Sequence, residues 1–436
     1  MNTGTLQFPS GFLWGAATAA HQVEGDNRNN QWWAWEQQPG RIWHGGRSGQ
    51  ACGWWQPGGA EGDLDLAAEM GHTTHRLSVE WSRIEPSEGT FDAAAIARYR
   101  QILQAMRARG IEPMVTLHHF TDPLWIAQAG GWENPRTIER FRRFVRYTVG
   151  ELGDLVRLWC TINEPNIYMV YGYLLGEFPP GAHDPARGLR VLNHLLRAHA
   201  LAYRTIHSLD GQAQVGMAHH IVIFEPADPT SPLDRLAAGV QDALFNAISL
   251  YAPHDGVMRF PAGSGLTYGA LVDSQDFIGV NHYIRYRVRF DPSQPTQVFA
   301  RYHLESGALL SDNKANGEPY SALAPQAFYL ALKRAARFGK PIYVTENGCP
   351  DATDRVRSHL LATYLPQMHR AIQEGADVRG YYHWTLVDNF EWAAGWGLRF
   401  GLVELDLPTG QRRIRASGRL YAEIARANAV PKDVLV

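Results

Sequence analysis

The chain has 436 residues, of which 45% are hydrophobic and 19% are charged, and this composition excludes an intrinsically disordered chain, since disorder needs low hydrophobicity and high net charge. The formal net charge is −2, from 41 basic and 43 acidic residues, so electrostatics gives no reason to expect nucleic acid or an anionic membrane as a partner. The length fits two or three average domains or one large α/β barrel.

Short apolar or β-branched runs recur along the chain, and each is followed by a stretch with helical periodicity. These runs predict strands that end near Ala16, Leu77, His119, Asn163, His220, His282, Glu346 and Thr385. Amphipathic segments between them predict helices over 93–110, 137–152 and 325–339. Gly110 and Gly339 are typical of helix C-caps, whereas the segment that closes with Gly150 and Gly153 has a less distinct end.

The alternation of strands and helices predicts a parallel sheet with helical crossovers. The spacing of about 40 to 65 residues per unit favours a (β/α)8 TIM barrel with long loops at the C-terminal face of the strands. We expect one domain over 1–436, with irregular regions at 26–60 and 286–322 beside the mouth. A doubly wound open sheet is the alternative, but ATAAHQVEG after the first strand lacks a glycine-rich phosphate motif.

Two carboxylates follow strongly apolar strands, Glu164 after the fourth and Glu346 at the end of the seventh. A lone glutamate there is more often a helix cap or a surface residue. In a barrel, however, the strand ends converge on one mouth. Two carboxylates facing one pocket can divide the roles of proton donor and nucleophile, as glycoside hydrolysis requires.

Two histidine pairs also lie at strand ends, His118 with His119 and His219 with His220. They are either metal ligands or hydrogen-bonding strand ends, and we favour the second interpretation. Successive strand residues point to opposite faces, so only one of each pair can reach a pocket. No HExxH or CxxC pattern is present, and no metal site is predicted.

The sparse set of 3 cysteines is a poor disulfide framework and indicates a reducing compartment, so we expect a cytoplasmic protein. The segment MNTGTLQFPSGF has no basic region followed by an apolar core, so no signal peptide is expected. No apolar run is long enough for a membrane span. The 14 tryptophans are an unusual number; many must lie in the core, and a surplus also suits a pocket that stacks apolar faces.

An ordered series of motifs along the chain resembles glycoside hydrolase family 1, the β-glucosidase family with retaining chemistry. The motifs are FPSGFLWGAATAAHQVEG (8–25), HRLSVEWSRIEP (75–86), VTLHHFTDP (115–123), TINEPN (161–166), DFIGVNHY (276–283), YVTENG (343–348) and GYYHWTLVDNFEWAAGWGLRFGLVELD (380–406). The resemblance implies a barrel that hydrolyses terminal β-D-glucosyl residues, with β-D-galactosyl or β-D-fucosyl tolerated, through a covalent glycosyl-enzyme intermediate. Small β-glycosides or oligosaccharides are the implied partners, and no cofactor is implied.

The same resemblance implies roles for individual residues. Glu164 matches the general acid/base and Glu346 the nucleophile, while Arg76 and Tyr283 match residues that hold the nucleophile ionised. Asn163 matches the residue that binds the sugar 2-hydroxyl. The complete implied substrate-binding set is Gln22, His119, Asn163, Asn281, Trp384, Glu391, Trp392 and Phe400.

Some positions depart from the family pattern. Asn166 replaces an aromatic residue beside the leaving-group subsite, which puts the aglycone preference in doubt. His282 replaces a tyrosine, Ala394 replaces an acidic residue, and the segment 52–63 is altered throughout. Glu391 is retained with Trp392, which favours an unphosphorylated sugar.

Two other classes of function remain as alternatives. A non-catalytic sugar-binding barrel would keep the aromatic residues but would need neither Glu164 nor Glu346. A metal-dependent barrel hydrolase would lose activity on chelation.

Overall fold

A closed barrel of parallel strands forms the centre of the computed structural model, which describes residues 5–434. The barrel strands are β1 (Leu13–Ala17), β2 (Thr74–Ser78), β3 (Glu112–His118), β4 (Leu158–Asn163), β5 (Gln214–His220), β6 (Phe277–His282), β7 (Ile342–Asn347) and β8 (Val378–Trp384). Each strand pairs in parallel with its neighbours in chain order, and β8 closes the barrel on β1. The predicted (β/α)8 barrel is confirmed.

Helices follow every barrel strand and cover the outside of the barrel. The principal ones are α1 (Gly59–Glu69), α2 (Ala93–Ala108), α3 (Arg136–Leu152), α4 (Pro185–Leu209), α5 (Pro232–Asp242), α6 (Pro325–Ala336), α7 (Val356–Gln373) and α8 (Ala416–Ala427). Shorter α-helices lie at Ala20–Val23, Gln31–Glu36, Trp81–Ile84, Leu124–Gln128, Pro165–Met169 and Ile248–Asp255. A π-helical segment, Ala243–Ala247, continues α5 into the last of these.

The helix ends agree with the glycine pattern of the sequence. Gly110 follows α2 with φ +70°, and Gly339 follows α6 with φ +65°, values that a residue with a β-carbon adopts at a cost. The less distinct segment behaves differently, because α3 runs through Gly150 to its end and Gly153 stays right-handed at φ −63°.

Hydrophobic packing between helices and strands fixes the barrel. On α3 the side chains of Phe141, Phe144, Val145 and Leu152 are buried at helical spacing. Each such side chain contributes about 1.5–3 kcal/mol by leaving water. Within 5–434, no helix is long and apolar enough to cross a membrane.

One expectation was wrong: the region 286–322 is not irregular throughout. Strand Arg285–Phe290 pairs with Ala300–His303 on one side and with Ile223–Pro226 on the other, forming a small sheet outside the barrel. Tyr286 and Val288 alternate with arginines, which is the period-two pattern of a strand with one covered face. Antiparallel pairs also join Leu6–Gln7 to Ala429–Val430 and Val403–Leu405 to Arg412–Ile414.

Candidate active site

The carboxyl ends of neighbouring strands bring polar side chains together at one mouth of the barrel. The register places Glu346 on β7 beside Asn281 on β6, and Asn281 beside His220 on β5. Glu164 comes directly after β4, where its backbone N–H donates to the carbonyl of Ala218 at 2.9 Å. These side chains are buried, with exposed fractions of 5% for Glu164 and 4% for Glu346.

Glu346 receives hydrogen bonds on both carboxylate oxygens. Arg76 Nη1 donates to Oε1 at 2.5 Å, and the Tyr283 hydroxyl donates to Oε2 at 2.7 Å. Burial raises the pKa of Glu346 to about 7, the nearby charge of Glu164 adds to this, and Arg76 and Tyr283 act in the opposite direction. Arg76 and Tyr283 thus lower the pKa of Glu346, while burial, the larger effect, raises it.

A continuous series of hydrogen bonds connects the two carboxylates. Arg76 Nη2 donates to Asn163 Oδ1 at 2.7 Å, and Asn281 Nδ2 donates to the same oxygen at 3.1 Å. Asn281 Nδ2 also donates to Glu164 Oε1 at 2.8 Å. Glu346 and Glu164 therefore belong to one buried network.

The backbone of Glu164 is held in the left-handed region, with φ +42° and ψ +64°. A residue with a β-carbon adopts this conformation at a cost of about 1–3 kcal/mol, and such residues cluster at functional sites. Pro165 follows as the first residue of a short helix, where its fixed φ is tolerated. The turn thus directs the Glu164 side chain back towards the barrel axis and its partners.

A third carboxylate, Glu391, lies near Glu346 and Glu164. Gln22 Nε2 donates to Glu391 Oε2 at 3.1 Å and to the carbonyl of Phe390 at 2.9 Å. Burial raises the pKa of Glu391 to about 8, while hydrogen bonds from Trp384 and Gln22 act to lower it. The amide and the carboxyl are therefore held together as a polar pair.

Aromatic rings surround this pair. His119 stacks on Trp384 with ring centroids 5.8 Å apart and on Trp392 at 5.9 Å. Its Nε2 lies 3.2 Å from Asn163 Nδ2, which links it to the carboxylate network. Phe400 contacts Tyr283 on the other side, with centroids 6.2 Å apart. The structure thus brings the predicted residues into one connected set.

Both polar atoms of the Asn281 side chain are hydrogen-bonded within the protein. Thr345 Oγ1 donates to its Oδ1 at 2.6 Å, and its Nδ2 is shared between Asn163 and Glu164. The side chain therefore acts as a link inside the network.

The histidine pairs divide as the strand geometry predicted. His119 faces the mouth, while His118 turns away and lies 3.0 Å from Asp122. His220 Nδ1 lies 2.9 Å from Glu164 Oε1, while His219 turns away towards Gln275. No group of ligating side chains suited to a metal occurs within residues 5–434.

Residues at positions that depart from the family pattern make hydrogen bonds within the protein. Asn166 is buried and donates to the carbonyls of His220, at 2.9 Å, and Phe245, at 3.2 Å. Its amide nitrogen therefore braces the backbone of two neighbouring segments. His282 is also buried, and its Nδ1 lies 2.8 Å from the carbonyl of Ile221. In the altered segment 52–63, Trp54 and Asp63 hydrogen-bond each other at 2.7 Å.

Sequence reasoning missed two contributors. His220 was considered only as a strand-end residue or a metal ligand, although it contacts Glu164 directly. Tyr320 lies in a loop without periodicity, and its ring packs 5.4 Å from Phe400. For His220 the sequence indicated only that β5 would lie beside β4 and not that the two side chains would meet; for Tyr320 the local sequence gives no signal.

A closed parallel barrel that holds two linked carboxylates in an aromatic mouth is the arrangement of a glycoside hydrolase. The family model described as glycosyl hydrolase family 1 matches residues 5–255 and 263–430. The chain belongs to this family. The sequence-based interpretation as a retaining β-glycosidase is thereby confirmed at the level of enzyme class.

Relatives of similar length accompany the family match. A β-galactosidase of Pyrococcus woesei is 31% identical, with 98% of each chain covered. β-Glucosidase A of Thermotoga maritima is 29% identical, with 97% of this chain and 99% of the relative covered. The structure of a β-glycosidase from Pyrococcus horikoshii superposes with a TM-score of 0.89 at 38% identity, covering 99% of this chain and 97% of the other.

Proposed function

We propose that the protein hydrolyses terminal β-D-glucosyl residues of small β-glycosides and oligosaccharides, and that it also accepts β-D-galactosyl or β-D-fucosyl residues. The observation that supports this most is the hydrogen-bonded connection from Glu346 through Arg76, Asn163 and Asn281 to Glu164. It gives one buried pocket a nucleophile and a proton donor.

In the first step Glu346 attacks the anomeric carbon as the glycosidic bond breaks. Glu164 gives its proton to the departing oxygen, and a covalent glycosyl-enzyme forms. In the second step a water molecule gives a proton to Glu164 while its oxygen bonds to the anomeric carbon and Glu346 leaves. Two inversions at one carbon give net retention of configuration.

Gln22, Glu391 and the side chains around them are proposed to recognise the sugar. Gln22 Oε1 and His119 Nδ1 are buried without a hydrogen-bond partner in the described part of the chain. Buried polar atoms are normally paired, so sugar hydroxyls are suitable partners for them. Glu391 would accept from hydroxyls of the same ring, Trp384 and Trp392 would pack on its apolar face, and Phe400 would lie beside the 6-hydroxymethyl group.

Solved structures of a relative support our proposal that both glucosyl and galactosyl residues are accepted. The Thermotoga maritima β-glucosidase, 28% identical with TM-scores of 0.88 and 0.87, is described in complex with glucoimidazole and with galacto-hydroximolactam. Epimers that leave no buried group unpaired are discriminated only weakly. A panel of aryl β-glycosides that compares kcat/KM will rank glucose, galactose and fucose.

We also propose one catalytic domain and a cytoplasmic location. The unpaired state of Cys52, Cys160 and Cys349, all buried, supports a reducing compartment. Fractionation of cells that express the full-length protein tests the location.

Trapping with a 2-fluoro β-glucoside that carries a good leaving group tests the assignment of roles, because the fluorosugar then forms the covalent intermediate faster than it is released. The expected result is one covalent sugar on Glu346, found by mass spectrometry of peptides. Glu164→Ala should retain hydrolysis of substrates with good leaving groups better than that of poor ones, because good leaving groups need less protonation. An adduct on another residue, or equal losses on both substrate types, contradicts the proposal.

A further inference from the structure

His220 contacts the proposed acid/base, although nothing in the sequence motifs assigns it a role. It is the last residue of β5, and its Nδ1 lies 2.9 Å from Glu164 Oε1. Both side chains are buried, with exposed fractions of 8% for His220 and 5% for Glu164. A buried imidazole at this distance from a carboxylate makes a strong, directional hydrogen bond.

The two oxygens of Glu164 have different surroundings. Oε1 has two partners, His220 Nδ1 at 2.9 Å and Asn281 Nδ2 at 2.8 Å. The Asn281 amide cannot present its oxygen there, because that oxygen accepts from Thr345 Oγ1 at 2.6 Å. Within residues 5–434, Oε2 has no hydrogen-bond partner. Oε1 of Glu164 is therefore held by hydrogen bonds from the protein, and Oε2 is available to a ligand.

The imidazole of His220 is itself fixed from several sides. Its ring stacks on Tyr283, with centroids 5.6 Å apart and an interplanar angle of 20°, and it meets the edge of Phe245 at 5.9 Å. Asn166 holds its carbonyl at 2.9 Å. The titratable groups that face the ring are Glu164, Tyr283 and the neighbouring His282. The ring has little freedom to rotate away from Glu164.

We propose that His220 is a positioning residue for Glu164: its Nδ1–H donates to Oε1, so that Oε2 carries the proton that is transferred. The inference rests on the proposed acid/base role of Glu164. In the first step the Oε2 proton passes to the departing oxygen, and the charge left on Glu164 is stabilised by the donors on Oε1. In the second step Oε2 takes a proton from water. His220 keeps its own proton throughout.

Two substitutions separate this role from simple packing. His220→Asn places an amide nitrogen where Nδ1 now lies and keeps a donor, while His220→Leu has a similar shape and no donor. We expect His220→Leu to lose about 10–100-fold in kcat/KM on an alkyl β-glucoside, a part of what general acid catalysis supplies. On 2,4-dinitrophenyl β-glucoside the loss should be about threefold or less, since that leaving group needs little protonation. His220→Asn should recover most of the lost activity.

A double-mutant cycle completes the test. On the dinitrophenyl substrate the second step limits kcat, and there Glu164 takes the proton from water, so His220→Leu alone should lower kcat. In the Glu164→Ala background with azide as nucleophile, adding His220→Leu should change kcat very little, because the group it positions is gone. Equal losses on both glycosides, or His220→Asn as impaired as His220→Leu, overturns the proposal. If Glu164→Ala alone shows neither leaving-group dependence nor azide rescue, the acid/base assignment itself has failed. His220→Met is a second donor-free variant if leucine prevents folding.

Discussion

The ionisation of Glu346 results from opposing influences within a few ångströms. Burial raises its pKa to about 7, while Arg76 and the Tyr283 hydroxyl each lower it. The nucleophile must be ionised to attack, so activity is lost as the pH falls through this pKa. The charge of Glu164 also raises the pKa of Glu346, so the ionisation of the nucleophile depends on its neighbour as well as on burial.

Removing the Tyr283 hydroxyl should move the acid limb of the kcat/KM profile to higher pH. The hydroxyl donates to Glu346 Oε2 at 2.7 Å and stabilises the ionised form. A hydrogen bond to a charged group contributes about 1.5–3 kcal/mol, so Tyr283→Phe should raise the acid-limb pKa by about one unit or more. The measurement is kcat/KM on an aryl β-glucoside from pH 4 to 9.

Tyr320→Phe is the matched control for this prediction. Tyr320 packs 6.3 Å from Tyr283 by ring centroids but makes no hydrogen bond to Glu346 among the described residues. It should leave the acid limb in place. An unshifted limb in Tyr283→Phe, or equal shifts in both variants, contradicts the assigned contact.

The left-handed backbone of Glu164 makes a prediction about stability. At most positions alanine is favoured over glycine by about 0.5–1 kcal/mol, because glycine loses more freedom on folding. At φ +42° the order should reverse, since the left-handed region costs a residue with a β-carbon about 1–2 kcal/mol. Glu164→Gly should therefore be the more stable of the two variants in urea unfolding.

The same pair of substitutions at Glu346 is the control. Glu346 lies within strand β7 and is absent from the residues with positive φ. Alanine should be the more stable replacement there. The same order at both positions rules out backbone strain at Glu164.

Among the elements, strand ends were predictable because polar residues terminate apolar runs. Each predicted end lies within one residue of the observed one, as with Leu77 for Ser78 and Thr385 for Trp384. The outer strand Arg285–Phe290 was missed because Asp, Pro and Gln after it dominate the composition. Its alternating residues form a strand only because Ile223–Pro226, distant in sequence, lies beside it.

The conformation of the altered segment 52–63 is predicted to depend on hydrogen bonds from one arginine of α2. Arg98 Nη2 donates to the carbonyls of Trp54 at 2.8 Å and Gln56 at 3.0 Å, and Nη1 pairs with Glu61 at 2.5 Å. Arg98→Met removes the ion pair with Glu61 and leaves the buried carbonyl of Trp54 without this donor, and a stranded buried group costs about 1–3 kcal/mol. We expect a loss of about 2–4 kcal/mol in the free energy of unfolding.

Arg109→Met, just past the end of the same helix, is the comparison. Arg109 pairs with Asp65, which is 68% exposed, and such pairs contribute about 0–1 kcal/mol. Urea unfolding of both variants gives the two free energies. Similar small losses in both show that Arg98 does not hold the segment.

For the molecule as a whole, the sequence predicts which strand ends meet but not how side chains pair across the mouth. Glu164 and Glu346 could be selected because two carboxylates occur at comparable strand ends that a barrel brings to one mouth, although either one alone would more often be a cap or a surface residue. The contact from His220 to Glu164 depends on the φ of +42° at residue 164 and on Asn166 bracing β5. Neither is visible in residue types, so a histidine at a strand end remained ambiguous.

The buried histidines predict how global stability depends on pH. Burial lowers the pKa to about 3 for His21, His72, His75 and His199, and to about 4 for His219 and His282. Below about pH 6.5 the unfolded chain binds protons that the folded chain does not, so stability falls as the pH falls, by up to about 1.4 kcal/mol per histidine and pH unit. Urea unfolding between pH 4.5 and 7.5 measures this slope.

The opposite sign applies to carboxyls whose pKa is raised by burial, and the largest shifts are those of Glu24 and Glu346 to about 7 and of Glu391 to about 8. They take up protons on folding, so their contribution to stability is lost as the pH rises from about 4.5 through these values. Because the histidines are more numerous, we expect maximum stability near pH 6–7, with a steep decline on the acid side.

His72→Leu measures the contribution of one buried histidine to the pH dependence of folding stability. Both ring nitrogens of His72 are buried without a partner in the described part of the chain, so leucine removes no hydrogen bond. The variant should lower the slope of stability against pH between about pH 4.5 and 6 by about 1.4 kcal/mol per unit, the value for one proton. A slope equal to that of the unaltered protein would mean that His72 is protonated in the folded state, against the burial that lowers its pKa to about 3.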